Sequence, residues 1–421
     1  MEVWKYYYLL GHTLSVQMAR TERAVHILLV CIFTAMLGLG IMSPIMPLYA
    51  SDLGATLTQI GFLSSAWSIS RLIFTAPAGR YSDQGSKKKV IMAGLFVYAV
   101  ISIMYAFAWD FTSLVAIRFL HGLGSALSMP IAMAYGAELA PEGKEGRYMG
   151  MMTMSMFAGM GLGPYIGGNL TDFFGFKEAA FYAMGGLSGL SFLLTAIFLP
   201  DDKGGGKRRV GPRPSFRKVL SNKLLRAMFI YRTVGALGRG SVMSFLSMFL
   251  SMSVSEGGLG ISLSQIGLIL SVSQLTSAFL QKPFGDMADK YNKVVLILIG
   301  GVLGASGLAL IPFTHNMWEA FAAQLLFMAG GALGMPAMTA IVTIEGRELG
   351  LGTTMSVLQS SMSLGMIAGP LVSGILGDMF GLKLIFMIGS LINFIGTAMF
   401  YVLQRGHSID KRNKDSSSQQ L

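Results

Sequence analysis

Gln59-Ile60-Gly61 returns 206 residues later as Gln265-Ile266-Gly267. The same interval carries Gly79 and Asp83 onto Gly285 and Asp289, Met129-Pro130 onto Met335-Pro336, and Gly163-Pro164 onto Gly369-Pro370. Four echoes in one order, with no shift between them, describe a chain of two halves built alike. Composition decides what kind of halves these are. Of the 421 residues, 53% are hydrophobic and 13% charged, about half the charged fraction of a soluble domain, and the mean hydropathy is +0.59. So much apolar surface has no soluble core to enter, and the solvent left for it is lipid.

Runs of roughly 20 apolar residues, the length that crosses a bilayer, cover 25–48, 59–79, 90–108, 111–135, 149–170 and 179–199 in the first half. The second half supplies 227–252, 264–284, 294–313, 320–342, 353–376 and 382–403. The expected fold is an all-α polytopic membrane protein, twelve transmembrane helices in two pseudo-symmetric six-helix bundles. Residues 1–23 precede the first bundle (24–200), a basic linker (201–226) joins it to the second (227–404), and 405–421 form a tail.

Lysine and arginine fall on alternate loops: Lys87, Lys88, Lys89, Lys144, Arg147, Lys290, Lys293 and Arg347, with Arg20 and Arg23 before the first run and Lys411, Arg412 and Lys414 after the last. The other side holds Lys177 and Lys383. Cytoplasmic loops carry the excess, so both termini are expected in the cytoplasm of a plasma-membrane protein. The net charge of +11 is then a topology signal, and nucleic acid is not an expected partner. The linker cluster Lys207-Arg208-Arg209 fits the same account, with attraction to anionic headgroups as the alternative. Cys31 stands alone, which excludes an internal disulfide. Trp4, Tyr6, Tyr7 and Tyr8 do not make a signal peptide; an interfacial helix and a start at Met18 are both open.

The fifth run holds Gly150, Gly159, Gly163-Pro164 and Gly167-Gly168. Glycines four apart let a second backbone approach closely, and the proline adds a bend. Here the chain resembles the major facilitator superfamily, and within it the twelve-span drug:proton antiporters, whose fifth helix carries this pattern in association with export. The resemblance runs from Met18 onward. Between the second and third runs, Gly79-Arg80-Tyr81-Ser82-Asp83-Gln84-Gly85-Ser86-Lys87-Lys88 is similar to the family's gate loop, with Gln84 in place of a basic residue and Ser86 in place of glycine. The second copy, Gly285 to Asp289, keeps a base at Lys290. The resemblance implies a loop that locks the cytoplasmic side in the outward-open state. Physically, Asp83 suits the positive N-terminus of the eleventh helix, and Lys87 suits Glu138 at the end of the fourth; a solvated turn with topology-setting lysines is the alternative. Arg118, His121, Gly122 and Gly124 resemble the family's arginine-bearing fourth helix, with His121 where glutamine is usual. Gly38-Leu39-Gly40, Pro44, Pro47 and Tyr49 resemble its bent first helix.

Arg71, Arg118, Arg232 and Arg239 lie inside apolar runs, where a charge costs about 2.5 to 3.5 kcal/mol at the helix centre. Arg232 is near enough to an end to snorkel. Arg239, about 18 Å into its run by helical rise, is the main candidate for a buried functional charge, with Arg71 and Arg118 as further cavity candidates. No Asp or Glu lies near the centre of any run, so coupling through an embedded carboxylate is not expected. His121 titrates in the useful range when unperturbed, or serves in packing. The 31 methionines, among them Met36, Met42 and Met46 on the first run and Met149, Met151, Met152, Met154, Met156 and Met160 on the fifth, fill helix surfaces or line an adaptable pocket.

The leading expectation is a secondary active transporter working by alternating access, exporting drug-like or amphipathic molecules in exchange for protons, with a small-molecule substrate and the bilayer as partners and no cofactor or metal. The arginines favour an anionic or neutral ligand. Import or exchange of an anionic metabolite, held by Arg71, Arg118 and Arg239, is a close alternative. A non-transporting sensor or scaffold is an alternative of another class. No loop shows a nucleotide-binding motif, a metal cluster or a nucleophile with its base, so an enzyme is not expected.

Overall fold

The echo at Gln59-Ile60-Gly61 has a local cause. Thr56 caps the helix that follows: its hydroxyl accepts from the Gln59 N–H at 3.3 Å, and the Gln59 side chain accepts from the Thr56 N–H at 2.9 Å. Ser262 and Gln265 repeat this capping box at 3.3 and 3.0 Å. Each box satisfies two orphan N–H groups at a helix start. The turns before the boxes and after the partner helices repeat as well. Gly54 and Gly260, and Gly175 and Gly381, all have φ between +62° and +84°, a conformation that other residues adopt only under strain.

The computed structural model describes residues 2–140, 145–201, 216–349 and 351–404. The basic cluster Lys207-Arg208-Arg209 and the tail from Arg405 lie outside the described residues. Among the described residues twelve long helices follow one another: α1 (Glu2–Met42), α2 (Leu57–Gln84), α3 (Lys87–Tyr105), α4 (Phe111–Leu139), α5 (Glu145–Phe174), α6 (Glu178–Phe198), α7 (Lys223–Ser251), α8 (Leu263–Lys290), α9 (Lys293–Leu310), α10 (Met317–Leu349), α11 (Leu351–Phe380) and α12 (Leu382–Gln404). Ten of them contain a stretch long and apolar enough to cross a membrane; α2 and α5 are diluted by serine, glycine and, in α2, Arg71. In α1 that stretch is Glu22–Met42. The chain then turns through Ser43 to Ile45 around Pro44 and resumes as a short helix, Met46–Asp52.

Packing repeats with the sequence. In the first bundle α1 lies against α5 and α6, α2 against α4, and α3 against α4 and α6; in the second, α7 lies against α11 and α12, α8 against α10, and α9 against α10 and α12. The core repeats too. Tyr49 meets Phe181 edge-on at 5.0 Å in one bundle, and Phe249 meets Phe386 at 5.7 Å in the other. Fully burying such a ring contributes about 1.5 to 3 kcal/mol. Two seams join the bundles, α2 with α11 and α5 with α8.

Candidate functional site

The glycine and proline pattern of α5 is divided between two jobs. A Cβ at Gly159, Gly163 or Gly167 would overlap the backbone of α1 at Phe33, Gly40 and Ile41, so these three glycines bring α1 and α5 together within one bundle. Gly168 instead meets the Leu263 carbonyl, and the Pro164 carbonyl meets Gly267, both across the α5–α8 seam. The other seam copies this: Gly61 meets the Pro370 carbonyl and Gly374 meets that of Leu57. Gly150 has open space around it and belongs to neither contact.

Both seams close at the end carrying the Thr56 and Ser262 caps. Asp378 at the end of α11 accepts the N–H groups of Leu57 and Thr58, each at 2.9 Å. Asp172 at the end of α5 accepts the Ser264 N–H at 2.8 Å. A carboxylate at a helix N-terminus satisfies orphan donors and the positive end of the dipole together. Deeper in, Ser65 Oγ donates to the Ile367 carbonyl at 2.6 Å and the Tyr165 N–H donates to Ser271 Oγ at 2.9 Å. Asp172 and Asp378, like Ser65 and Ser271, are 206 residues apart. The repeat interval would have revealed both pairs in the sequence.

At the lysine-rich end Asp83 is exposed and makes no hydrogen bond or ion pair among the described residues; the expected contact with the N-terminus of α11 falls beside Gly350, which lies outside them. The carboxylates that meet helix termini across the bundles are Asp172 and Asp378, at the opposite end. An added Cβ at Gly79 or Gly285 would meet nothing. Lys87 is 2% exposed and its Nζ lies 3.1 Å from Glu138, joining α3 to α4 within one bundle. Asp289 and Lys293 line a cleft of about 720 Å³ with Gln281, Thr339 and Thr343.

Between the capped end and the lysine-rich end lie the arginines. Trp67 and Arg71 are one turn apart on α2, and Arg118 and Gly122 one turn apart on α4. A Cβ at Gly122 would strike the Ser70 side chain at 2.6 Å and the Trp67 carbonyl at 2.5 Å; its absence lets α2 settle on α4. The Trp67 ring then lies 5.4 Å from Arg71 Cζ and 5.9 Å from Arg118 Cζ, cation–π distances. Arg118 Nη1 contacts Met42 Sδ at 2.6 Å. Behind it His121, fully buried, is bonded through Nδ1 to the Tyr105 hydroxyl at 3.0 Å and stands edge-on to Tyr98 at 4.8 Å. The structure thus brings Arg71, Arg118 and His121 together with Trp67, which sequence reasoning passed over because an aromatic residue in an apolar run carries no signal of its own.

Arg239 sits on α7 of the other bundle, its Nη2 3.3 Å from where a Cβ on Gly331 of α10 would stand. Arg232, two turns away, contacts Met362 Sδ at 3.6 Å. Neither arginine meets a carboxylate among the described residues, and no described Asp or Glu lies inside the apolar part of a span: Glu22 stands at the start of the apolar stretch of α1, and the rest lie near a helix end or in a loop.

The model of the Major Facilitator Superfamily matches residues 28–257 and 233–420. An uncharacterized MFS-type transporter of Methanocaldococcus jannaschii is 27% identical over 391 residues, covering 91% of this chain and 99% of that protein. Quinolone resistance protein NorA of Staphylococcus aureus is 25% identical over 362 residues, covering 85% and 90%. Among solved structures, a bacterial homolog of the human lysosomal transporter Spinster, inward-facing and unoccupied, superposes with a TM-score of 0.80 at 15% identity, covering 92% of this chain and 97% of that one. With its duplicated bundles, two matching seams and a family match across nearly its whole length, this chain belongs to the major facilitator superfamily: it is an integral membrane transporter for a small-molecule substrate.

Proposed function

We propose that this transporter exports amphipathic organic anions across the plasma membrane by alternating access. The observation that carries the reading is the set of four guanidiniums, Arg71, Arg118, Arg232 and Arg239, within the spans, with no carboxylate beside any of them among the described residues. Unpaired charges at that depth are costly, and an anion entering between the bundles supplies the missing partner. A lipophilic cation is repelled by the same set. Export is drawn from the glycine and proline pattern of α5 and from the likeness to NorA. Proton exchange is the coupling that fits this branch. With the lysine-rich loops in the cytoplasm, the closed end is extracellular and the molecule is inward-facing.

The test is flux in proteoliposomes under an imposed pH gradient, with a pH dye inside and a panel of organic anions and lipophilic cations outside. The expected result is a pH change driven by anions and abolished by Arg239→Ala. Movement of cations alone, unaffected by Arg239→Ala and Arg118→Gln, overturns the reading.

A further inference from the structure

We infer that Trp67 and the methionines around it make this a carrier selective for aromatic carboxylates; the inference rests on the anion reading above and narrows it. Met36 and Leu39 of α1 and Met129 of α4 form a buried cluster, and Trp67 of α2 and Met156 and Met160 of α5 all pack against it. The first bundle therefore presents a thioether-and-indole floor where α1, α2, α4 and α5 meet, and α2 and α5 are the helices that form the seams with the other bundle. Met36, Leu39 and Met129 are buried, whereas Trp67, Met156 and Met160 keep part of their surface open.

The charged head of a ligand has its place beside that floor. The indole Nε1 of Trp67 and the Nε of Arg118 are buried donors with no acceptor among the described residues. The Arg118 fork meets Met42 Sδ, a weak acceptor, the Trp67 ring and the Tyr105 hydroxyl, none of which carries a negative charge. Buried N–H groups without acceptors are uncommon and costly. A carboxylate brings acceptors in the plane that a guanidinium fork reads, and it also neutralises the Arg71 and Arg118 charges that share one ring.

The floor selects what the carboxylate is attached to. Thioether sulfur makes favourable contacts with ring edges and repacks around different shapes, and an indole favours offset or edge-on rings. An aromatic ring directly bonded to the carboxylate, or one carbon away, reaches these groups while its head lies on Arg118 and Trp67 Nε1. An aliphatic chain satisfies the head and forfeits the ring contacts. The carrier therefore discriminates by ring character, and it tolerates several ring skeletons because methionine adapts.

The test is equilibrium binding to the purified full-length protein by scintillation proximity, with labelled 2-naphthoate, octanoate and naphthylmethylammonium. Naphthoate is expected to bind about ten-fold more tightly than octanoate, the worth of one or two ring contacts, and the ammonium analogue not to bind. Trp67→Leu should lower naphthoate affinity about ten-fold and octanoate affinity much less, while Trp67→Phe retains the preference. Met156→Leu, which keeps volume and removes sulfur, should reduce the preference about two- to three-fold. The inference falls if octanoate binds as well as naphthoate, if Trp67→Leu weakens both alike, or if no probe binds. Preferential binding of the ammonium analogue, insensitive to Arg118→Gln, sinks the anion reading itself and is distinguishable from those outcomes. Should Trp67→Leu fail to fold, Met156→Leu and Trp67→Phe decide the question.

Discussion

Replacing Asp172 and Asp378 together by asparagine tests the reading of the closed end. Each carboxylate bonds a helix N-terminus of the opposite bundle, so these contacts exist only while that end is shut. Asp378 accepts two N–H bonds at 2.9 Å and Asp172 one at 2.8 Å. A charge at a helix N-terminus contributes 0.3 to 1 kcal/mol when exposed, and a hydrogen bond to a charged group about 1.5 to 3 kcal/mol. Both aspartates are exposed, which discounts the second figure, and asparagine keeps one acceptor oxygen. About 0.5 to 1 kcal/mol per site survives, so the double variant should shift the ratio of closed to open at this end by about 5- to 30-fold. Spin labels at Ser51→Cys and Ser255→Cys, on opposite bundles and both exposed, report the separation by double electron–electron resonance once the buried Cys31 is serine. The long-distance population should grow. An unchanged distance distribution, or an equal change from Asp201→Asn at the other end, refutes the reasoning.

Glycine variants should separate the two seams from the packing within bundles. Gly61→Ala and Gly267→Ala put a methyl into the Pro370 and Pro164 carbonyls of the other bundle; both proteins should reach the membrane at normal abundance and lose transport. Gly163→Ala meets Gly40 within its own bundle and should instead lower thermal stability and yield. Asp83→Asn should act opposite to the Asp172 and Asp378 changes, favouring closure of the end they cap, and combining all three should bring the resonance distances back toward wild type. Hydrogen bonds from the Ser113 N–H and hydroxyl hold the Asp110 carboxyl below its ordinary value of 3.8. Its stabilisation of the α4 start is therefore full above that value and lost as pH falls through the lowered one, so between about pH 5 and about pH 3 the melting temperature of wild type should drop further than that of Asp110→Asn.

The repeat interval made the fold readable, because two bundles with one packing plan leave the same residues at the same register. Where a residue's partner lies across the seam, the sequence names the residue and not the partner. Gly163 and Gly168 are five residues apart in one motif, yet one touches its own bundle and the other the opposite bundle. Asp83 shows a different limit. Its expected partner, the start of α11, borders residues outside the described ones, and a sequence encodes both states of a carrier without saying which is populated. The arginines were visible because a charge in an apolar run is expensive. Trp67 was not, since its role depends on Gly122 of another helix letting it in.

The two ends obey one energetic constraint. A carrier that visits both states needs them within a few kcal/mol of each other, since a 99:1 excess either way already represents about 2.7 kcal/mol. The capped end is held by two copies of one device: a capped helix start, a carboxylate on its N–H groups, and a glycine against a proline carbonyl. The lysine-rich end must answer with contacts of similar worth when it closes, and the duplicated Asp83 and Asp289, both exposed now, are carboxylates free to do so. Helix termini suit this exchange better than buried ion pairs. An exposed carboxylate leaving a helix N-terminus returns to water at little cost, whereas a charge withdrawn from a buried pair leaves its partner stranded in a low-dielectric interior. Lys87 and Glu138 fit the same logic from the other side: an ion pair whose lysine is buried lies within one bundle, where alternation never has to break it.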